Sequence, residues 1–155
     1  VGRGGLADGD GLMIVFNNAV YGDRIAKAAG TTFNQRGDVC IAREERGELW
    51  GGAIYTGYTG SSVGVHMAGF RPDWINQDLL WVCFHYPFVQ LGCSKLLGQV
   101  PSSNLKALEF DLKMGFIEET RVKDVFPDGD LVVMSMKKET CRWLKLKPRS
   151  LKEPV

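Results

Sequence analysis

Short apolar runs separated by polar punctuation set the order of elements along the chain. Residues 12–16, LMIVF, read as a buried strand. Residues 17–30 read as a helix capped by Asn17 or Asn18 and stopped at Gly30. A polar stretch follows, and 38–44 then alternates as a strand, with ERGE as a hairpin turn. Residues 49–60 supply the second arm, loosened by glycines, and 61–70 a third strand. Residues 71–75 lead into a second helix, with Asn76 as cap and Asp78 in the first turn, where the helix dipole favours an anion. Pro87 predicts a kink or an end to that helix. A short strand over 94–100 is broken by Pro101, Ser102 and Ser103, which cap a third helix. The chain closes with a strand over 116–126, the turn PDGD, a strand over 131–137 and a basic tail with room for a short helix. This order predicts an α/β protein: a central mixed sheet with helices on both faces, its helix-flanked strands parallel and its hairpins antiparallel.

The third helix, NLKALEFDLKMGF, carries a conflict. Leu105, Ala107, Leu108, Phe110, Leu112 and Met114 wrap a broad apolar arc, with Lys106, Glu109 and Lys113 as the solvent stripe. Asn104 and Asp111 fall near the middle of the arc, so an amide and a carboxylate are expected on a buried face.

The chain has 155 residues, of which 45% are apolar and 24% charged, enough for one domain with a substantial core. That domain is expected over 13–147, with 148–155 as a C-terminal tail. Residues 1–12 are Gly-rich and unpatterned, and read as a flexible leader or an upstream remnant, Met13 being a natural start. A net charge of +1 gives no general case for a polyanion partner. Seven Lys or Arg against two Glu over 137–155 could meet RNA or an acidic protein. Aromatics and charges do not interleave along one strand face, which speaks against nucleic acid. Cys40, Cys83, Cys93 and Cys141 have no close pair spacing and there are two histidines, so no metal site is expected and the cysteines read as reduced core residues. Nothing resembles a signal peptide, and the longest apolar run is short for a membrane span. A reducing, cytoplasmic setting without a membrane partner is expected.

Asn104, Ala107, Gly115 and Phe116, with PSSN before them, the PDGDLVVMSMKK hairpin after them and the element order, resemble the GCN5-related N-acetyltransferase superfamily. The resemblance covers nearly all of 13–137, and LLWVCFHYPFVQLG is similar to members encoded by bacterial viruses, which would place the protein in a host cytoplasm. It implies the acyl-CoA N-acyltransferase-like fold, with SSVGVHMA and SKLLGQV as a splayed central strand pair. It also implies acetyl-CoA as cosubstrate and an amine acceptor, small molecule or protein, attacking the thioester directly in a ternary complex. A homodimer stays open. Splayed strands leave backbone groups unpaired that the amide-rich pantetheine arm can satisfy, here over Val65 to Ala68. The coenzyme contacts implied are Val65, Met67, Ala68, Arg71, Asn104 and Phe110. The chain departs from the family in the pyrophosphate loop, where AGFRPDWINQDLLW has Gly69 as its one glycine. A helix N-terminus and Arg71 would have to hold the phosphates, against Asp73 and Asp78.

His66, Asp111 and Tyr55 form the expected catalytic set. His66 titrates nearest neutrality and is the candidate base; strand alternation puts it on a face with Ala68, opposite Val63, Val65 and Met67. A structural histidine is the alternative. Asp111 stands where many family members carry a tyrosine acid, and it is ionised at pH 7 unless burial raises its pKa. Its roles remain open: structural anchor, ligand contact or acid. Tyr55 would line the acceptor pocket. A degenerate, non-catalytic fold acting as a protein-interaction module is the competing expectation.

Overall fold

A computed structural model describes residues 4–7 and 12–149. The strands are β1 (Gly4–Ala7), β2 (Leu12–Phe16), β3 (Val39–Glu45), β4 (Glu48–Thr56), β5 (Ser62–Gly69), β6 (Lys95–Pro101), β7 (Ile117–Phe126) and β8 (Gly129–Lys137). The helices are α1 (Ala19–Ala28), α2 (Gln77–His85) and α3 (Leu105–Met114). One sheet runs in the order β1-β2-β3-β4-β5-β6-β8-β7, and every neighbouring pair is antiparallel except β5 and β6. The expected mixed sheet is therefore present, with its one parallel pair at the centre.

The caps of α1 and α2 are those the pattern predicts, whereas α3 is capped by Asn104 rather than by Ser102 or Ser103. Asn18 Oδ1 accepts the Tyr21 N–H at 3.0 Å, Asn76 Oδ1 the Leu79 N–H at 2.8 Å, and Asn104 Oδ1 the Ala107 N–H at 3.2 Å. Gly115, at φ 106°, closes α3 in the left-handed region. Arg46 and Gly47, both at positive φ, make the tight β3–β4 turn.

Three local expectations are corrected and one, at Pro87, is met. Residues 4–7 of the expected leader form β1 against β2, because an open sheet edge offers backbone groups that any sequence can pair; residues 1–3 and 8–11 lie outside the described residues. As expected, the regular part of the second helix ends at Pro87: α2 stops at His85. The chain widens into a π turn over Tyr86–Gln90, in which the Leu91 N–H reaches the Tyr86 carbonyl at 2.9 Å. The glycines of β4 do not loosen it: a side chain at Gly52 would collide with the Ile41 carbonyl and one at Gly51 with the Trp74 indole. The arc of α3 is narrower than its sequence. Ala107, Phe110, Asp111 and Met114, spaced i, i+3, i+4, i+7, meet the protein, whereas Leu105 and Leu112 are 73% and 58% exposed and Asn104 is also exposed.

Two apolar cores lie on opposite faces. Ile25 and Ala26 of α1 pack on Cys40, Ala42, Leu49 and Ile54. On the other face α2 and the π turn bury Leu79, Trp81, Val82, Phe84 and Phe88 against Ile14, Ile41, Tyr55, Val63 and Leu96. Each large side chain so buried contributes roughly 1.5–3 kcal/mol. All four cysteines are buried and free. No helix among the described residues is long and apolar enough to cross a membrane.

The loop between β5 and α2 is pinned from beneath. Arg43, 7% exposed, donates Nη1 to the carbonyls of Asp73 (2.6 Å) and Trp74 (2.8 Å) and pairs with Glu45 at 3.2 Å. The indole of Trp74 then lies on Gly51 and Gly69, which face each other across β4 and β5. Gly69→Ala is expected to destabilise the fold by roughly 1–3 kcal/mol through overpacking and to shift tryptophan fluorescence. Equilibrium denaturation measures it, and an unchanged midpoint would contradict this packing.

Candidate active site

The central parallel pair opens. The β5–β6 ladder runs from Ser62↔Lys95 to Gly64↔Leu97 and goes no further. Beyond it β5 stays paired to β4 as far as Gly69, and β6 to β8 as far as Pro101. Each strand is thus held from outside, while the inner edges of 65–69 and 98–101 diverge. Backbone N–H and C=O groups on such edges must find partners elsewhere.

The predicted site residues distribute around this wedge. Val65 and Met67 pack on the core beneath α2 and α3, and Ala68 on the opposite core beneath α1. Phe110 of α3 stacks on Trp74 with ring centroids 6.1 Å apart, so two aromatic rings roof the β5 side. Asp111, the next residue of α3, leans over β6, its Oδ2 3.3 Å from where a side chain at Gly98 would begin. Burial pushes its carboxyl up to about 6. Asn104 is exposed at the start of α3 and spends its Oδ1 on the helix cap.

His66 is half-buried on the face away from α3, and burial lowers its pKa while the nearby Asp38 carboxylate opposes the shift. Asp38 lines a cleft of about 530 Å³ between the start of α1 and the 33–39 segment, with Phe16, Asn17, Phe33 and Arg36. Asn17, at φ 54°, is fixed there by its Oδ1, which accepts the Cys40 N–H at 3.2 Å.

Two predicted residues stand apart. Tyr55 is fully buried, donates its hydroxyl to the Cys83 carbonyl at 2.6 Å and meets Tyr86 edge-on at 5.1 Å. Burial pushes its pKa well above the usual tyrosine value. Arg71 turns away from α2 to pair with Glu48, its guanidinium 5.3 Å from the Trp50 ring centroid. Cys40 and Cys83 are pushed up to about 12 by burial, so neither offers a thiolate near neutral pH.

Sequence reasoning left two arrangements unseen. Gly51 and Gly69 both sit under Trp74, a relation visible only once β4 and β5 are in register. At the start of α2, Asp78 is 3% exposed and its Oδ1 accepts the Arg149 N–H at 2.6 Å. Gln77 donates to the Lys147 carbonyl at 2.5 Å and accepts from Arg149 Nε at 3.0 Å. The segment 147–149 therefore crosses the N-terminus of α2, a contact more than sixty residues apart in sequence that no local pattern announces.

Asp111 sets a pH dependence. Its folded pKa, about 6, exceeds the ordinary aspartate value of 3.8, so the folded state holds this proton more tightly than the unfolded chain. The ionised side chain costs stability as pH rises from about 4 through about 6. Asp111→Asn is expected to be more stable than the parent by roughly 1–2 kcal/mol at about pH 8, allowing for partial exposure, with the gain absent at about pH 4. Denaturant titrations at both pH values measure the difference, and an equal gain at both would contradict the burial assigned to this carboxyl.

No family model matches the sequence, and no curated protein matches it. Solved structures do. A probable acetyltransferase superposes with a TM-score of 0.63 over 88% of this chain and 98% of its own, at 14% identity. The Campylobacter jejuni N-acetyltransferase PseH in complex with acetyl coenzyme A gives 0.52 over 66% of this chain and 69% of its own, at 19% identity. A dodecameric spermidine N-acetyltransferase from Vibrio cholerae gives 0.57 over 66% of each chain, at 18% identity. At such identities the likeness is one of architecture: the chain has the fold of these N-acetyltransferases, with its opened strand pair at the centre.

Proposed function

We propose that the protein is an acetyl-CoA-dependent N-acetyltransferase in which an amine attacks the thioester directly. The observation that carries this is the β5–β6 ladder, which stops at Gly64↔Leu97 while both outer edges stay paired. An extended chain of amides fits such an edge, and the pantetheine arm is one. Val65, Met67 and Ala68 would bind it along β5, with Phe110 against its flank. A backbone N–H on this edge would meet the oxyanion of the tetrahedral intermediate. Asn104 would contact the arm through its amide nitrogen, since its oxygen caps α3.

His66 would take the proton from the attacking amine. Its lowered pKa keeps it neutral, and so able to accept a proton, near pH 7. The acceptor, a small molecule or a protein, would enter by the cleft that Asp38 lines, where a carboxylate favours an ammonium group. Asp111, raised to about 6, is partly protonated near neutrality and could return a proton to the departing thiolate. Tyr55 holds the framework, since its hydroxyl is already bound, and Arg71 serves Glu48 and Trp50.

One observation favours the second reading, a non-catalytic interaction module. The N-terminus of α2, where the coenzyme's phosphates would be expected, carries Asp78 and the crossing segment 147–149.

Calorimetry with acetyl-CoA and free CoA separates the two. Binding of both at about 10–100 µM is expected, and heat from neither would contradict the enzyme reading. With an accepted amine, His66→Gln should lower kcat about 100-fold with KM little changed; an unchanged kcat would remove His66 as the base.

A further inference from the structure

We propose that this chain holds its donor by the pantetheine thioester alone, so that the nucleotide half of coenzyme A adds nothing to binding. The inference rests on the wedge reading above and narrows the donor to a class: acyl thioesters of pantetheine, whatever is attached beyond the arm.

An anion seated at the N-terminus of α2 needs free backbone N–H groups and an uncluttered approach. Neither is present. Asn76 takes the Leu79 N–H for its own cap. Asp78 places a carboxylate in the first turn, and it is 3% exposed, held by the Arg149 N–H. A pyrophosphate there would meet a like charge in a poorly solvated position, where repulsion is weakly screened. Segment 147–149 lies across the same turn, tied twice to Gln77.

Much of the loop before α2 is already committed. Pro72 has no N–H, and the Phe70 and Trp74 N–H groups already donate to the carbonyls of Trp50 and Arg71. The single glycine, Gly69, makes room for the Trp74 indole rather than for a phosphate. Arg43 fixes the loop by its carbonyls, so the backbone is not free to rearrange into a cradle without breaking a buried guanidinium's hydrogen bonds. The neighbouring cleft beside Trp50 holds Arg46 and Arg71 but also Glu45 and Glu48, and Arg71 is already paired with Glu48. Of the cations on the crossing segment, Arg149 gives its Nε to Gln77, and Lys147 is a solvated surface ammonium.

Calorimetry on the full chain with S-acetyl-pantetheine and with acetyl-CoA tests the inference. Dissociation constants within about tenfold of each other are expected, since a held pyrophosphate and nucleotide would separate them further. Acetyl-CoA affinity should also stay level from low to high salt. A preference for acetyl-CoA above about tenfold, or a steep loss of its affinity with salt, would overturn the inference and leave the wedge reading standing. Failure of both ligands to bind would overturn both.

Discussion

The structure turns on a pairing that is not made. In a twisted sheet, two parallel strands normally continue side by side until one ends. Here β5 and β6 part after three residue pairs, Ser62–Gly64 with Lys95–Leu97, and both run on. What keeps them apart is their outer partners: β4 holds β5 through Gly69 and β8 holds β6 through Pro101. The antiparallel hairpins on either side act as two half-sheets joined at one seam, and the opening leaves backbone groups whose hydrogen-bonding demand the sheet itself does not meet.

The surroundings of the opening are built by aromatic and charged groups from distant parts of the chain. Arg43, on β3, reaches under the β5–α2 loop and positions Trp74; Trp74 covers two glycines and stacks on Phe110; Phe110 brings α3, and with it Asp111, over the β6 side. Two loop carbonyls satisfy Nη1 of this buried guanidinium, which makes the loop conformation part of the core's own hydrogen-bonding balance. The helix that follows is capped by Asn76 and carries the buried Asp78 in its first turn.

Much of this was legible in the sequence. Strand alternation placed Val63, Val65 and Met67 opposite His66 and Ala68, and the two cores confirm that division. Asn18 and Asn76 capped as their spacing required, because an N-cap is a local device that needs only three or four residues of context; at α3 the cap fell one residue beyond the serines, on Asn104. The third helix was half legible. Its sequence supports a wide apolar arc, but the extent of docking depends on how far α3 overlaps the sheet, and Leu105 and Leu112 are left in water. Tyr55 looked like a pocket residue because a hydroxyl on a strand is locally ambiguous; only the neighbouring Cys83 carbonyl decides that it is spent internally. The approach of Asp38 to His66 and the passage of 147–149 over α2 depend on contacts far apart in sequence, which hydrophobic periodicity does not encode.

Amide hydrogen exchange across β5, followed by NMR with and without acetyl-CoA, tests the central claim most directly. Without ligand, the N–H groups of residues 65–69 that point toward β6 should exchange much faster than those bonded to β4. Adding acetyl-CoA should slow these wedge amides selectively, leaving β2 and β7 unchanged. Slow exchange of the wedge amides in the free protein, or no change on adding acetyl-CoA at saturating concentration, would contradict an open strand pair that serves as the donor site.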